Sequence, residues 1–267
     1  MSVITKKQGK LEILTAEGIS VPHCFTTRYG GVSKGYLSSL NIGLHRGDDP
    51  ENVEENYRIL TDALGGSLSD LVLTNQIHTD IVRVVGREEA GKSLDNRDWP
   101  QCDALITGDP GVALVVFAAD CTPILLHDPV TGAVGAVHAG WRGTAVGIAA
   151  KTVEAMVREY GCKAENIHAA IGPNISFCCF ETDRDVPDAM VETLGEEAKP
   201  FIRPNGDKYY VNLKEINALW LRRAGVEHIE ISDACTVCQS ERFWSHRVTR
   251  GQRGSQGAII VCKEACR

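Results

Sequence analysis

The chain has 267 residues, 43% hydrophobic and 24% charged, with a formal net charge of −7; this is the composition of an ordinary globular protein, long enough to bury a sizeable core. The negative balance argues against a nucleic-acid-binding surface and gives no reason to invoke acidic membranes, although it leaves room for a local basic pocket. No apolar run reaches membrane-spanning length and the opening MSVITKKQGK lacks a signal-peptide core, so a cytoplasmic protein is expected, its ten cysteines reduced and mostly packed as small buried hydrophobes.

In chain order, Val21 to Thr27 reads as a strand followed by a glycine turn at Gly30 and Gly31. Asp49 suits a helix N-cap, Pro50 the first helical position and Glu51 the positive helix end; the helix runs through Tyr57, Leu60 and Leu64 and stops at Gly65. Leu71–Thr74 and Ile81–Val85 read as strands flanking His78, and residues 103–107, 112–118, 123–127 and 133–138 give four more β-rich runs. From Gly143 to Tyr160 the spacing turns helical, with Val146, Ala150, Val153 and Val157 on one face and Gly161 as the stop. Ile167–Ile171 is a strand, Pro187–Leu194 and Leu213–Ala224 are helices, and Ile229–Ile231 and Ala258–Cys262 are closing strands. Strand clusters mixed with helices, without strict alternation, favour α+β with mixed sheets. No repeat, low-complexity tract or linker interrupts residues 1–267, so a single domain is expected.

The stretch from Val116 to Thr144 carries the strongest chemical signal. Cys121 and His138 end two short apolar runs joined by a turn from Asp128 to Gly132. A hairpin through that turn brings thiol and imidazole to one rim, and His78, at another strand–loop junction, offers a third soft ligand. One Cys and two His on rigid strand ends fit an open zinc site with a vacant position, although any single histidine is more often structural. Ala139 to Gly143 joins His138 to a helix start, where glycines permit close backbone approach and Arg142 can clamp an anion. Arg28, beside Gly30, and Arg247 are further anion candidates, each more often a solvated charge. Asp103 can serve as a general base or accept a ribose hydroxyl; otherwise it is a strand-end turn residue. Cys235-x-x-Cys238 could complete a four-thiolate zinc site with Cys262 and Cys266. Cys178 and Cys179, being adjacent, read as buried packing residues that do not share a metal.

Several long segments in order resemble the YfiH family, also called laccase-domain or multicopper polyphenol oxidase-like proteins and related to the FAMIN enzyme domain. They are FTTRYGGVSKGYLSSLNIGLHRGDDPENVEENYRIL, NQIHTDIV, CDALIT, AADCTPILLHDP, VHAGWRGT, AAIGPNISFCCFE and CTVCQSERFWSHR. The resemblance implies a YfiH-like layered α+β sandwich, related to a class of cysteine hydrolases, and zinc on His78, Cys121 and His138. It also implies phosphorolysis of adenosine, inosine and methylthioadenosine, with adenosine deaminase activity. Two positions depart from the family pattern: Asn174 follows Gly-Pro where cysteine or serine is frequent, and Ser255 stands where an arginine is expected, with Arg253 nearby.

The laccase name invites a copper oxidase, but a multicopper cluster needs about ten histidines; the chain has eight, with no His-x-His pair. Zinc, suggested by the ligand set and implied by the resemblance, is the expected cofactor, copper a less favoured occupant. The leading reading is a zinc-dependent purine nucleoside phosphorylase and adenosine deaminase, acting on a small-molecule nucleoside and phosphate. Arg28, Arg142 or Arg247 would place phosphate, and Asp103 would orient the nucleoside or move a proton. The alternatives are a metal-free cysteine hydrolase acting on peptidoglycan precursors, with Cys121 as nucleophile and His138 or His78 as base, a polyphenol oxidase with adventitious copper, and a zinc-stabilised binding module.

Overall fold

The computed structural model describes residues 2–94 and 99–264. Its strands are β1 (Val3–Gln8), β2 (Leu11–Ala16), β3 (His23–Thr26), β4 (Leu71–Leu73), β5 (Val82–Val84), β6 (Ala104–Thr107), β7 (Ala113–Ala118), β8 (Thr122–His127), β9 (Val134–Ala139), β10 (His168–Ile171), β11 (Glu181–Thr182), β12 (Ile202–Asn205), β13 (Lys208–Val211), β14 (His228–Ile231) and β15 (Gln256–Val261). The helices are α1 (Pro50–Leu64), α2 (Trp141–Ala145), α3 (Ile148–Tyr160), α4 (Asp185–Leu194), α5 (Leu213–Arg223) and α6 (His246–Thr249).

Two six-stranded mixed sheets form the frame, in the orders β1-β2-β3-β15-β7-β4 and β14-β10-β8-β9-β6-β5. Most neighbours are antiparallel; β4 with β7, β5 with β6 and β10 with β14 are parallel. The sheets pack face to face over one apolar layer, Phe25, Val72, Leu114, Val116 and Ile260 from the first meeting Leu105, Leu125, Ala136 and Ala170 from the second. Tyr57 and Leu60 of α1 cover the outer face of the first sheet against Leu71, Val115 and Ile259. Helices α3 and α5 cover the second, where Ile148, Val153, Met156 and Leu221 meet Ile106, Ile124 and Val137. Central strands buried on both faces must be apolar throughout, which is why β8 and β9 read as runs instead of alternations. The result is the α+β arrangement with mixed sheets that the element pattern predicts, layered as the family resemblance implies.

Local signals hold at α1, where the Asp49 side chain accepts from Glu51 N at 3.0 Å and Gly65 takes the left-handed conformation that ends the helix. Residues 143–160 differ from expectation. Gly147, at φ +75°, divides them into α2 and α3, and a side chain there would meet the Trp220 ring at 3.1 Å. The break resets the helical phase, so Ile148, Ala149, Thr152, Val153 and Met156 face the sheet while Val146 and Val157 are exposed. The hairpin β1–β2 and the small sheet β11-β13-β12 have no counterpart in the sequence reading. Among the described residues, no helix is long and apolar enough to cross a membrane.

Candidate active site

The β8–β9 hairpin delivers two of the three expected ligands as its sequence implies. Asp128 closes the turn by donating its N–H to Ala133 O at 3.0 Å and accepting Val130 N on its side chain at 2.8 Å. The antiparallel register sets Thr122 opposite Ala139 and Pro123 opposite His138, so Cys121 emerges beside the end of β9. Its predecessor Asp120 is held at φ +88°, an uncommon conformation for a non-glycine residue. Asp120 is fixed there by Thr236 Oγ1 at 2.6 Å, Ser245 Oγ at 3.1 Å and Arg247 N at 2.7 Å.

The third ligand, His78, lies between β4 and β5, also with positive φ, at +62°. Asp103 holds it. This fully buried carboxylate accepts on Oδ1 from His78 N at 3.0 Å and from His138 Nδ1 at 2.8 Å. Its Oδ2 takes Thr79 N at 2.8 Å, Thr79 Oγ1 at 2.9 Å and Ile77 N at 3.2 Å. With both oxygens so engaged, Asp103 stands behind His138 and does not line the cavity. It occupies Nδ1 and leaves Nε2 of His138 for the site.

The donor atoms of His78, Cys121 and His138 lie within 4.8 Å of one another. Cys121 Sγ and His78 Nε2 are 3.9 Å apart; tetrahedral zinc separates sulfur and nitrogen ligands by about 3.6 Å, so the trio fits the ion after a small contraction. The two imidazoles meet edge to face, centroids 4.9 Å apart at 86°. Gly140 is required by this closeness, because a Cβ there would lie 2.8 Å from His78 Cδ2 and 3.5 Å from Cys121 Sγ.

Charges in the trio reinforce one another. Burial pushes the Cys121 thiol up, but the charge and hydrogen bonds of His138 and His78 outweigh it and bring it down to about 6. Burial likewise disfavours the His138 cation, which Cys121 and Asp103 restore, raising the imidazole to about 9. Asp103 is drawn down to about 2; its burial is opposed by His138 and the Thr79 donors. Without metal, these shifts favour thiolate and imidazolium near neutral pH.

A cavity of about 590 Å³ opens over these residues, within the range that encloses a small-molecule ligand. Leu44, Leu73, Trp99 and Phe117 supply apolar wall, and His45, Arg46 and Arg253 its basic side. The three arginines singled out from the sequence do not line it. Arg28 lies over the Trp244 ring at 4.0 Å and donates to Ser38 O at 2.9 Å. Arg142 lies over Trp141 at 4.2 Å, and Arg247 donates to Glu181 O and Cys179 O at 3.0 and 3.3 Å. Arg253 takes the basic position instead. Burial and the nearby Arg46 charge lower it to about 10, against the opposing pull of Cys121 and Asp120. Its Nη1 donates to Gly254 O and Ser255 Oγ, both at 3.0 Å, while its buried Nε has no partner. Its only sequence signal is proximity to the departure at Ser255, because the loop after α6 reaches the cavity only through the fold.

The cysteines also require a correction. Cys178 is exposed and Cys179 half-buried, and their sulfurs gather with those of Cys235 and Cys238. Consecutive residues in a turn can aim at a common point, so adjacency does not bar Cys178 and Cys179 from a shared site. Cys262 lies in the inter-sheet core, with Sγ donating to Gly132 O at 3.3 Å, and Cys266 lies outside the described residues. All nine described cysteines are free thiols.

Residues 22–263 match the family described as multi-copper polyphenol oxidoreductase laccase. The chain is 39% identical over 244 residues to purine nucleoside phosphorylase YlmD of Geobacillus stearothermophilus, covering 90% of this chain and 89% of that protein. It is also 39% identical over 251 residues to a purine nucleoside phosphorylase of Deinococcus radiodurans, covering 94% and 92%. The crystal structure of the Geobacillus YlmD superposes with a TM-score of 0.91 at 36% identity, covering 98% of this chain and all of that one. A Bacillus licheniformis YfiH structure gives 0.90 at 35%, covering 97% and 99%. Matched through nearly its whole length in both sequence and fold, the chain belongs to the laccase-domain YfiH family.

Proposed function

We propose that the protein is a zinc-dependent purine nucleoside phosphorylase acting on adenosine, inosine and methylthioadenosine, with adenosine deaminase activity at the same site. The carrying observation is the meeting, in one cavity, of the His78, Cys121 and His138 donors with the cations Arg46 and Arg253. Relatives covering nine-tenths of the chain are named purine nucleoside phosphorylases. One thiolate and two neutral imidazoles suit zinc, and three protein ligands leave a position open. A zinc ion held by these residues would supply Lewis acidity to substrate or water. Copper fits the donors less well as a functional reading, since the described residues form only one histidine-containing metal group and a multicopper centre needs several.

In phosphorolysis a phosphate oxygen bonds to the ribose anomeric carbon as the bond to the purine nitrogen breaks, and the base leaves with that electron pair. Arg253 and Arg46 hold phosphate and offset its charge, replacing Arg28, Arg142 and Arg247 in that role. The walls from Trp99 and Phe117 take the flat base, and Asp103 keeps the His138 ring fixed. Positioning and charge stabilisation carry most of the rate in such a transfer. The test is product analysis with adenosine and inosine, with and without phosphate. Phosphate-dependent base release, lost in a folded Cys121→Ala variant, supports the assignment; wild-type turnover by that variant overturns it.

The line Cys121–His138–Asp103 also has the form of a cysteine nucleophile, its base and the carboxylate that orients the base. That arrangement supports the second reading, amide hydrolysis of a peptidoglycan precursor. Trapping of Cys121 by an electrophile in the zinc-loaded protein favours it, because a coordinated thiolate is shielded; protection by zinc refutes it.

A further inference from the structure

Outside the cavity lining, two turns bring four sulfurs together. The turn at residues 177–179 presents Cys178 and Cys179, and the turn after Ala234 presents Cys235 and Cys238. Backbone bridging between Asn174 and Cys235 fixes the two turns against each other. Cys238 Sγ lies 3.4 Å from Cys179 Sγ and 3.6 Å from Cys178 Sγ, and all four sulfurs lie within 4.8 Å of one another. Tetrahedral zinc with bonds of about 2.3 Å places its thiolates about 3.8 Å apart, close to these separations. An iron–sulfur cluster, whose cysteines bind different irons, needs a wider spread.

The surroundings are suited to the charge such an ion leaves. Four thiolates on one divalent cation carry a net charge of −2. Cys235 Sγ accepts from Ser176 N at 3.4 Å and from the backbone N–H groups of Val237 and Cys238. Lys214 is buried beside both turns, its ammonium donating to Ser232 O at 2.6 Å, Ala234 O at 2.8 Å and Ser176 Oγ at 3.1 Å. A buried ammonium with only neutral acceptors is costly; an anionic centre nearby offsets that cost.

From this geometry we infer a second, structural metal site, one zinc ion held by Cys178, Cys179, Cys235 and Cys238. Its four positions are closed by protein, so it has no vacancy for chemistry. Its role is to clamp the loops that grip the Asp120–Cys121 corner. Ile175 N donates to Asp120 O at 2.9 Å, Thr236 Oγ1 to Asp120 Oδ1 at 2.6 Å, and Asn174 Nδ2 to Thr122 Oγ1 at 2.7 Å. The ion would thus hold the segment that presents Cys121 without approaching the substrate.

Metal counting on the purified chain tests this independently of activity. The wild type should carry about two zinc ions per chain, and Cys121→Ala about one, at the four-cysteine site. Cobalt-loaded Cys121→Ala should show charge-transfer absorption corresponding to about four thiolates per metal, a readout that requires no change to the cluster. Adding Cys178→Ser or Cys238→Ser, both at exposed positions, should weaken metal binding at least about tenfold while the chain stays folded. A metal-free Cys121→Ala protein, cobalt bound without thiolate absorption, or a Cys238 disulfide in freshly purified protein would each overturn the inference. Loss of the first site's metal or of phosphorolysis alone would bear on the proposed function and leave this site standing.

Discussion

Replacing Asp103 with asparagine separates positioning from chemistry. The carboxylate accepts five hydrogen bonds in a fully buried setting, two on Oδ1 and three on Oδ2. An asparagine has one acceptor oxygen. If that oxygen keeps His138 Nδ1 and His78 N, the amide NH2 faces the N–H groups of Ile77 and Thr79; the Thr79 hydroxyl alone can turn and accept. Two part-buried backbone donors left without acceptors cost towards the lower end of about 1–3 kcal/mol each, or about 2 kcal/mol together. The loop carrying His78 loosens and the histidine drifts from its partners. Loss of such an outer partner typically weakens metal binding about 10–100-fold. Chelator competition should show that weakening, and urea unfolding of the metal-free protein should show the stability loss. A readout specific to positioning is the metal-free Cys121 alkylation profile: its midpoint should rise from about 6 towards the ordinary thiol range, because Asp103 helps keep His138 charged. Wild-type metal affinity and an unmoved alkylation profile in Asp103→Asn would refute the reasoning.

Three further outcomes follow from other parts of the structure. Gly140→Ala, whose methyl would press on His78 Cδ2 at 2.8 Å, should lower zinc affinity about 10–100-fold, read by chelator competition; unchanged affinity would mean the loop yields freely. Arg253→Met should raise the KM for phosphate about 10–150-fold, the worth of a charged hydrogen bond of about 1.5–3 kcal/mol, with a smaller effect on nucleoside KM; the reverse pattern would remove phosphate from this position. Burial, helped by the His168 charge, lowers the buried His127 to about 4, whereas in the unfolded chain it titrates near 6.5. Its contribution is therefore complete above about pH 6.5 and is lost as pH falls towards 4, by up to about 3 kcal/mol. The wild-type urea midpoint should fall relative to that of His127→Gln as the pH drops from about 6.5 towards 4, and parallel pH curves would reject this.

What the sequence revealed was local, and what it concealed depends on contacts between distant segments. Asp49, Pro50 and Gly65 mark α1 by short-range backbone chemistry, and Cys121 and His138 are joined by one turn. His78 was legible only as a ligand type at a strand end; its position is imposed by Asp103, 25 residues away. Arg253 reaches the cavity from a loop far along the chain. Nothing in local spacing distinguishes it from Arg28, Arg142 or Arg247, which are equally charged but spend their guanidinium groups on aromatic rings or carbonyls. The same limit applied to Cys178 and Cys179, which gain their meaning from Cys235 and Cys238 about sixty residues on. Strain shows where these distant contacts converge. Of the four described non-glycine residues with positive φ, His45 and His78 line the cavity and Asp120 immediately precedes Cys121. Such conformations cost about 1–3 kcal/mol each and persist only where the surroundings hold them. Asp103 does this for His78, and the loops joined by the four cysteines do it for Asp120. The cavity's chemistry thus depends on two frames outside it: a buried carboxylate behind the imidazoles and a sulfur cluster behind the thiol.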